Sequence, residues 1–300
     1  MTPKSPDPTA YAQKAGLKDV TRLSSGLNFT VFQATSPSYG QVALRIPTPE
    51  SDILTNINDG VLSVSALLTQ DLAIFKYLSG TGIPVPVPHE MLEVDGRLAS
   101  LASFIPSDDS DPDPRGAGRV LARLHGLPPP EGLNMVVQYG KSVLDLFPAR
   151  LTARWASLLS FVPDLPSLPS EAELASYLCK LGRFPDSLLH MDFRAANLRT
   201  EQGKIVGVLD WENTLVGPAA VDLMRVREIG GFDDHELTAG YEEVAGSLPQ
   251  LDEEEELVLR LDPAVMLALV FFSEAPDAEN AAVSVARVRE LVAKLNPSTS

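Results

Sequence analysis

Cysteine is almost missing from this sequence: Cys179 stands alone among 300 residues. An intrachain disulfide and a Cys/His metal cluster are therefore excluded. Its setting, Glu171-Ala-Glu-Leu-Ala-Ser-Tyr-Leu-Cys-Lys-Leu181, has helical spacing and reads as a packing thiol rather than a nucleophile. No apolar run approaches the roughly 20 residues that a membrane span needs. The first residues, Met1-Thr-Pro-Lys-Ser-Pro-Asp-Pro8, lack the apolar core of a secretory signal. The expectation is a cytoplasmic protein that binds no membrane, with residues 1–18 as a flexible tail. Basic residues are also scarce, with 24 Lys and Arg against 40 Asp and Glu, a net charge of −16. Without clustered cations there is no basis for binding nucleic acid through counterion release. The same charge would draw in a cationic small molecule, an attraction that salt weakens.

The residues present describe a globular enzyme. Forty-four per cent are hydrophobic, and the length suits one domain of two lobes, or two domains. The most informative stretch is Leu188-Leu-His-Met-Asp-Phe-Arg-Ala-Ala-Asn197, with Val208-Leu-Asp-Trp-Glu212 after it. In His190-x-Asp192-x4-Asn197 a carboxylate and a carboxamide stand five residues apart after an apolar run. A loop of that length can aim Asp192 at a substrate hydroxyl and turn Asn197 toward a metal, as kinase catalytic loops do. Between the motifs, Leu198 to Leu209 reads as two short strands around a Glu201-Gln-Gly203 turn. That hairpin would return Asp210 to Asn197, where both could hold one Mg2+, an ion that takes few protein ligands and fills its shell with phosphate oxygens and water.

On these motifs the chain resembles the aminoglycoside phosphotransferase and choline kinase superfamily, small-molecule kinases of protein-kinase-like fold. Gly217-Pro-Ala-Ala-Val-Asp-Leu223 and Leu121-Ala-Arg-Leu-His125 add to the likeness, which spans roughly residues 20 to 290. The resemblance implies an α+β fold with a small antiparallel N-lobe sheet, residues 19–105, that binds nucleotide, and a mainly helical C-lobe, residues 106–300, that carries catalysis and the acceptor. It makes Asp192 the base and gives His190 and His125 bracing or packing roles. Trp211 reads as a packing anchor between two carboxylates, and Glu212 as a possible second metal ligand or acceptor contact. The sequence departs from the family pattern at Gly217-Pro218-Ala219, which lacks the aspartate usual after the glycine.

Strand patterns at Asp19–Leu23, Phe29–Ala34 and Gln41–Ile46 give the N-lobe its sheet. Ser24-Ser-Gly-Leu-Asn28 falls where the family folds a loop over the nucleotide phosphates. There Gly26 would let the backbone approach, and Ser25 and Asn28 would donate hydrogen bonds. Arg45 stands where protein kinases carry a lysine on the α- and β-phosphates, and its fork suits phosphate oxygens. The helix Ser65–Leu78 follows, with Asp71 where the family pairs a glutamate with the strand cation. Met91–Val94 and Leu98–Ile105 are strand-like around Asp95-Gly96, and the resemblance makes Ser103-Phe104-Ile105 the hinge that binds adenine. The acidic linker Ser107–Pro114 falls near the family's acceptor site and could steer a cationic acceptor, although such a run more often is a solvated loop that caps the next helix; Glu274, Asp277 and Glu279 are alternative acceptor contacts.

The expectation is a kinase that moves phosphate from ATP or GTP, with Mg2+, to a hydroxyl of a cationic or amino-bearing small molecule. A metabolic kinase of choline, ethanolamine, an amino acid or a sugar is the alternative of the same chemistry. An inactive nucleotide- or partner-binding pseudokinase is the alternative of another class, favoured by the short Asp71 and the altered Gly217-Pro218 turn.

Overall fold

A computed structural model describes residues 6–26, 28–48, 51–58 and 60–296. Helix α1, Thr9–Ala15, ends at Gly16, whose φ of 63° is left-handed. Part of the segment expected to be a loose tail is thus a helix. The reason is an apolar face: Tyr11, Ala12 and Leu17 join the core of the sheet, and Lys14 Nζ donates to the Glu93 carbonyl at 2.6 Å.

Strands β1 (Lys18–Ser25), β2 (Phe29–Ser36) and β3 (Gly40–Pro47) follow. Alternation puts Val42, Leu44 and Ile46 of β3 into the core. A hairpin that the sequence reading did not anticipate, β4 (Ile53–Asn56) and β5 (Gly60–Ser63), comes next. Ser63 caps α2, Val64–Leu78, by accepting the Ala66 amide at 3.2 Å. Strands β6 (Pro88–Val94) and β7 (Arg97–Ser103) pair around Asp95 and Gly96, whose φ values of 52° and 76° make the two-residue hairpin turn. The sheet runs β1-β2-β3-β7-β6.

The chain then crosses to the helical region through residues 104–113. The acidic linker there serves as a loop that caps the next helix, and residues 107–114 do not line the cavity beside Asp192. Asp108 accepts the Gln202 amide at 2.7 Å, and Asp113 caps the next helix by accepting the Arg115 and Gly116 amides. Short polar side chains ahead of a helix satisfy its orphan amides. Helix α3, Pro114–His125, is followed by α4 (Val143–Leu159) and α5 (Glu171–Leu178). Cys179 lies just past α5 and is exposed, with Sγ donating to the Ser176 carbonyl at 3.0 Å; the inward stripe is taken by Leu174, Leu178 and Leu181, which leaves Cys179 facing out.

Strands β8 (Asp186–Leu189), β9 (Leu198–Glu201), β10 (Lys204–Val208) and β11 (Leu215–Pro218) make two small ladders, β9 with β10 and β8 with β11. Gln202 and Gly203, at φ 52° and 77°, form the expected turn between β9 and β10. Because β8 leads into the loop 190–197 and β11 leaves the loop 209–214, the two ladders bring these loops side by side. Helices α6 (Ala219–Ile229), α7 (Asp234–Ala245), α8 (Glu253–Leu269) and α9 (Ala278–Leu295) complete the fold, with a π-helical turn at Val270–Glu274. Helices α3 and α7 touch backbone to backbone: a Cβ on Gly118 would lie 2.1 Å from the Leu237 carbonyl oxygen.

Candidate active site

Asp222 of α6 organises the first loop. It is fully buried and accepts the amides of His190 at 2.7 Å and Met191 at 2.9 Å. Burial alone would raise its carboxyl; the His125 hydrogen bond and the His190 amide outweigh that and hold it below the usual carboxylate range. His125 Nε2 lies 3.2 Å from the same carboxylate, and its Nδ1 is 3.1 Å from the Tyr241 hydroxyl. It is a packed, hydrogen-bonded histidine.

His190 is fully buried, and burial keeps its imidazole neutral by lowering its pKa. Two bonds set the tautomer: Nε2 donates to the Leu209 carbonyl at 3.0 Å, and Nδ1 accepts the Asp192 amide at 3.1 Å. The ring therefore joins the first loop to the second. Trp211 packs at 4.5 Å from it, fully buried, with Nε1 donating to the Val208 carbonyl at 3.2 Å. Met191 and Asp210 are both left-handed, at φ 65° and 66°, so each loop holds one residue in a region that non-glycine residues rarely adopt.

Asn197 closes the first loop by donating Nδ2 to the Asp192 carbonyl at 2.9 Å and to Asp192 Oδ2 at 2.7 Å. The Leu209 amide donates to the Asn197 carbonyl at 2.9 Å, which brings Asn197 and Asp210 to the same wall. Arg194 Nε donates to Asp192 Oδ1 at 3.1 Å.

Arg45 of β3 reaches the second loop. Its guanidinium contacts Asp71 of α2 and Glu212, stands 3.2 Å from Asp210 Oδ1, and covers the Phe29 ring at 4.3 Å. The expected pairing of Arg45 with Asp71 is present in spite of the shorter side chain. For Asp210, burial raises the carboxyl but Arg45 outweighs it, and the net direction is down. Glu212 goes the other way: burial and the charge of Asp210 push it up to about 8 against the pull of Arg45. Asn28 Nδ2 donates to Glu212 Oε2 at 2.7 Å. Ser25 Oγ pairs with Thr30 Oγ1 at 2.9 Å, and the Gly26 amide donates to the Phe29 carbonyl at 2.8 Å; Leu27 lies outside the described residues.

Sequence reasoning missed Gln70. Nearly fully buried on α2, it donates to the Trp211 carbonyl at 2.8 Å and accepts the Val136 amide at 2.7 Å. It ties α2 to the second loop. A buried amide one position from Asp71 was the only signal it offered.

Two cavities flank these loops. One, of about 190 Å3, is lined by Arg45, Asn197, Asp210, Ser103, Phe104 and Ile105. The other, of about 380 Å3, is lined by Asn28, Asp192, Arg194, Glu212 and Glu274 with residues of α4, α6 and α8. Among the three alternative acceptor residues, Glu274 lines the larger cavity, whereas Asp277 caps α9 by accepting the Glu279 and Asn280 amides. No helix among the described residues is long and apolar enough to cross a membrane.

Comparison with known proteins agrees with this architecture. The model of the phosphotransferase enzyme family matches residues 19–257. No curated protein sequence matches the chain. Solved structures align over nearly the full length. Aminoglycoside phosphotransferase APH(2'')-Ib with ADP bound is 14% identical, with 96% of this chain and 97% of that one covered and a TM-score of 0.60. Macrolide 2'-phosphotransferase MphH from Brachybacterium faecium is 18% identical over 97% of both chains, at 0.56. A candidate fructosamine-3-kinase from Haemophilus somnus 129PT is 14% identical over 96% of this chain and 95% of its own, at 0.66. At such identities the likeness is one of fold, an α+β protein-kinase-like arrangement of antiparallel sheet and helical region.

Proposed function

Because this chain belongs to the phosphotransferase enzyme family, we propose that it is a small-molecule kinase that moves the γ-phosphate of ATP or GTP to an acceptor hydroxyl. The nucleotide occupies the smaller cavity and the acceptor the larger. One observation carries the reading: Asn197 and Asp210 line the smaller cavity, Asp192 and Glu212 line the larger, and Asn197 Nδ2 meets Asp192 Oδ2 at 2.7 Å. Phosphoryl transfer depends on holding donor and acceptor in line, so a shared wall carrying these side chains is the arrangement it requires.

In this reading residues 19–105 bind the nucleotide and residues 106–300 carry catalysis and most of the acceptor site. Arg45, held by Asp71, grips phosphate oxygens, and the Ser25-Gly26-Asn28 loop is assigned to the phosphates although Asn28 itself lines the larger cavity and donates to Glu212. The base lies against Ser103-Phe104-Ile105. The Ser103 and Phe104 amides already donate to the Val87 and Gln41 carbonyls at 2.8 and 3.0 Å, so the base meets Ile105 in preference to those two.

Asn197 and Asp210 suit Mg2+ by their donor chemistry. Asn197 is anchored through Nδ2, which turns its carboxamide oxygen to the opposite side, and Asp210 stays ionised beside Arg45. No group of three or more His, Cys, Asp and Glu converges as a metal site among the described residues, so the ion would rest on these two side chains and on nucleotide oxygens. When bound it would neutralise charge on the phosphates. Glu212 stands ready for a second ion or for the acceptor. Asp192 orients the acceptor hydroxyl and takes its proton late, as the new O–P bond forms, the bond to the bridging oxygen breaks, and the nucleoside diphosphate leaves with the electron pair.

The net charge of −16 suggests a cationic or amino-bearing acceptor, and such a group would meet Asp192, Glu212 and Glu274. A metabolic kinase of choline, ethanolamine, an amino acid or a sugar runs the same chemistry. The inactive alternative loses one support, since Asp71 does reach Arg45. The test is phosphate transfer from ATP and GTP, with and without Mg2+, to aminoglycosides, macrolides, amino alcohols, amino acids and sugars. Mg2+-dependent product supports the reading; a protein that neither binds nor consumes nucleotide contradicts it.

A further inference from the structure

Two arginines line the smaller cavity, and only one of them is paired. Arg45 is taken up by Asp71, Asp210 and Glu212. Arg199, on β9, is half-buried, and its guanidinium makes no hydrogen bond or ion pair among the described residues. The one carboxylate in the cavity wall, Asp210, already stands 3.2 Å from Arg45. A guanidinium has five N–H donors and no acceptor, so Arg199 leaves a set of donors unmet in a site where hydration is already reduced.

Strand pairing fixes the end of the cavity at which Arg199 stands. It lies opposite Gly207 of β10. A Cβ on Gly207 would fall 2.9 Å from Ile105 Cδ1 and 3.1 Å from Arg199 Cβ, so the bare glycine lets the Ile105 side chain and the Arg199 stem meet over one backbone position. Arg199 is therefore a neighbour of Ile105, the residue against which the base lies, and its stem starts at the base end of the nucleotide.

The walls leave the edge of the base to these two residues. Leu23, Val31 and Ala43 from the sheet and Leu209 from the second loop supply apolar surface for the two faces of a planar ring. The Ile105 amide makes no hydrogen bond among the described residues, and Pro106 beyond it has no amide to give. Arg199 and Ile105 thus both present donors, and the base that suits them presents acceptors. Guanine carries O6 and N7 side by side, which two N–H groups of one guanidinium can reach together; adenine sets an amino donor beside its N7, against the guanidinium.

We propose that Arg199 reads the base and that the phosphate donor is a guanine nucleotide, GTP in preference to ATP. The inference rests on the kinase reading above and narrows its donor to the purine that bears an oxygen at position 6.

The test is isothermal titration of the protein, with Mg2+, by GDP, IDP, ADP and 7-deaza-GDP. IDP keeps O6 and N7 and lacks only the 2-amino group of guanine, whereas 7-deaza-GDP lacks N7. GDP and IDP should bind about tenfold or more tighter than ADP, the discrimination of one bidentate pair, with 7-deaza-GDP between them. Arg199→Met keeps much of the stem and should bring GDP down toward ADP while ADP affinity stays nearly unchanged; Arg199→Lys should fall between. The comparison on the wild-type protein stands even if the variants fail to fold. ADP bound as tightly as GDP and IDP overturns the inference. So does an equal loss of GDP and ADP in Arg199→Met, which would place the guanidinium on the phosphates or on a face of the base. A wild-type protein that binds none of the four would instead overturn the kinase reading, so the two failures are distinguishable.

Discussion

Asp222 accepts the main-chain N–H of His190 at 2.7 Å, so a carboxylate 32 residues further along the chain sets the geometry of the first loop. The adjacent Met191 amide donates to its other oxygen at 2.9 Å, where φ is 65°. Asp222→Asn would set an NH2 group against one of these amides. Leaving a buried donor without its acceptor costs about 2–4 kcal/mol, and the loop that carries Asp192 should lose its position. Urea denaturation and turnover should fall together, and a variant with near wild-type stability would contradict the bracing role.

His190 is held neutral inside the fold, and this has a pH consequence. Its folded pKa lies below that of the unfolded chain, so the unfolded state binds more protons as pH falls. The stability associated with His190 is complete above the unfolded value near 6.5 and is lost as pH drops below it. A His190→Gln variant should lose less stability between pH 7 and 5 than the wild type does, measured as Tm against pH. An equal loss in both proteins would contradict the assignment.

Arg45 bridges α2 and the second loop through Asp71, Asp210 and Glu212. Arg45→Met leaves these carboxylates without their cation and removes the proposed phosphate grip. Nucleotide affinity should fall on the order of 10–100-fold, a loss in the range of a charge-assisted contact. Arg45→Lys should recover part of it. Isothermal titration with Mg2+-ATP measures both, and unchanged affinity in Arg45→Met would remove Arg45 from the nucleotide site.

The contact of α3 with α7 admits no side chain at Gly118, where a Cβ would approach the Leu237 oxygen and the Tyr241 nitrogen at 2.1 and 2.7 Å. Those neighbours are backbone and yield only if a helix moves. Gly118→Ala should destabilise by about 3 kcal/mol, visible as a lower urea midpoint. A neutral substitution would mean that the helices can separate freely.

What was legible in the sequence is what depends on near neighbours. Both loops are short motifs joined by one hairpin, so His190, Asp192, Asn197 and Asp210 could be grouped before any coordinates, and Asp71 could be paired with Arg45 by analogy. Tertiary chemistry was not legible. Arg199 lies in a short strand, and alternation shows the two faces of a strand without saying which cavity a face meets. Gln70 looked like an ordinary helix residue beside a more conspicuous acid, and β4–β5 is too short to stand out, with Ile53-Leu54 and Val61-Leu62 as adjacent apolar pairs rather than an alternating pattern. The tail and Cys179 were misread for a simpler reason: a seven-residue helix becomes stable only by docking, and the position next to Leu178 on a helical stretch falls off the buried stripe of Leu174, Leu178 and Leu181.

The proposal that Asp192 serves as the acceptor's base is the centre of this account, and Asp192→Asn tests it most directly. Turnover with Mg2+-ATP and an accepted hydroxyl compound should be measured on both proteins, with nucleotide affinity measured in parallel. Turnover should fall by about 10²–10⁴-fold, the usual contribution of a positioned base, while nucleotide affinity changes little. Turnover within a few fold of the wild type would contradict it.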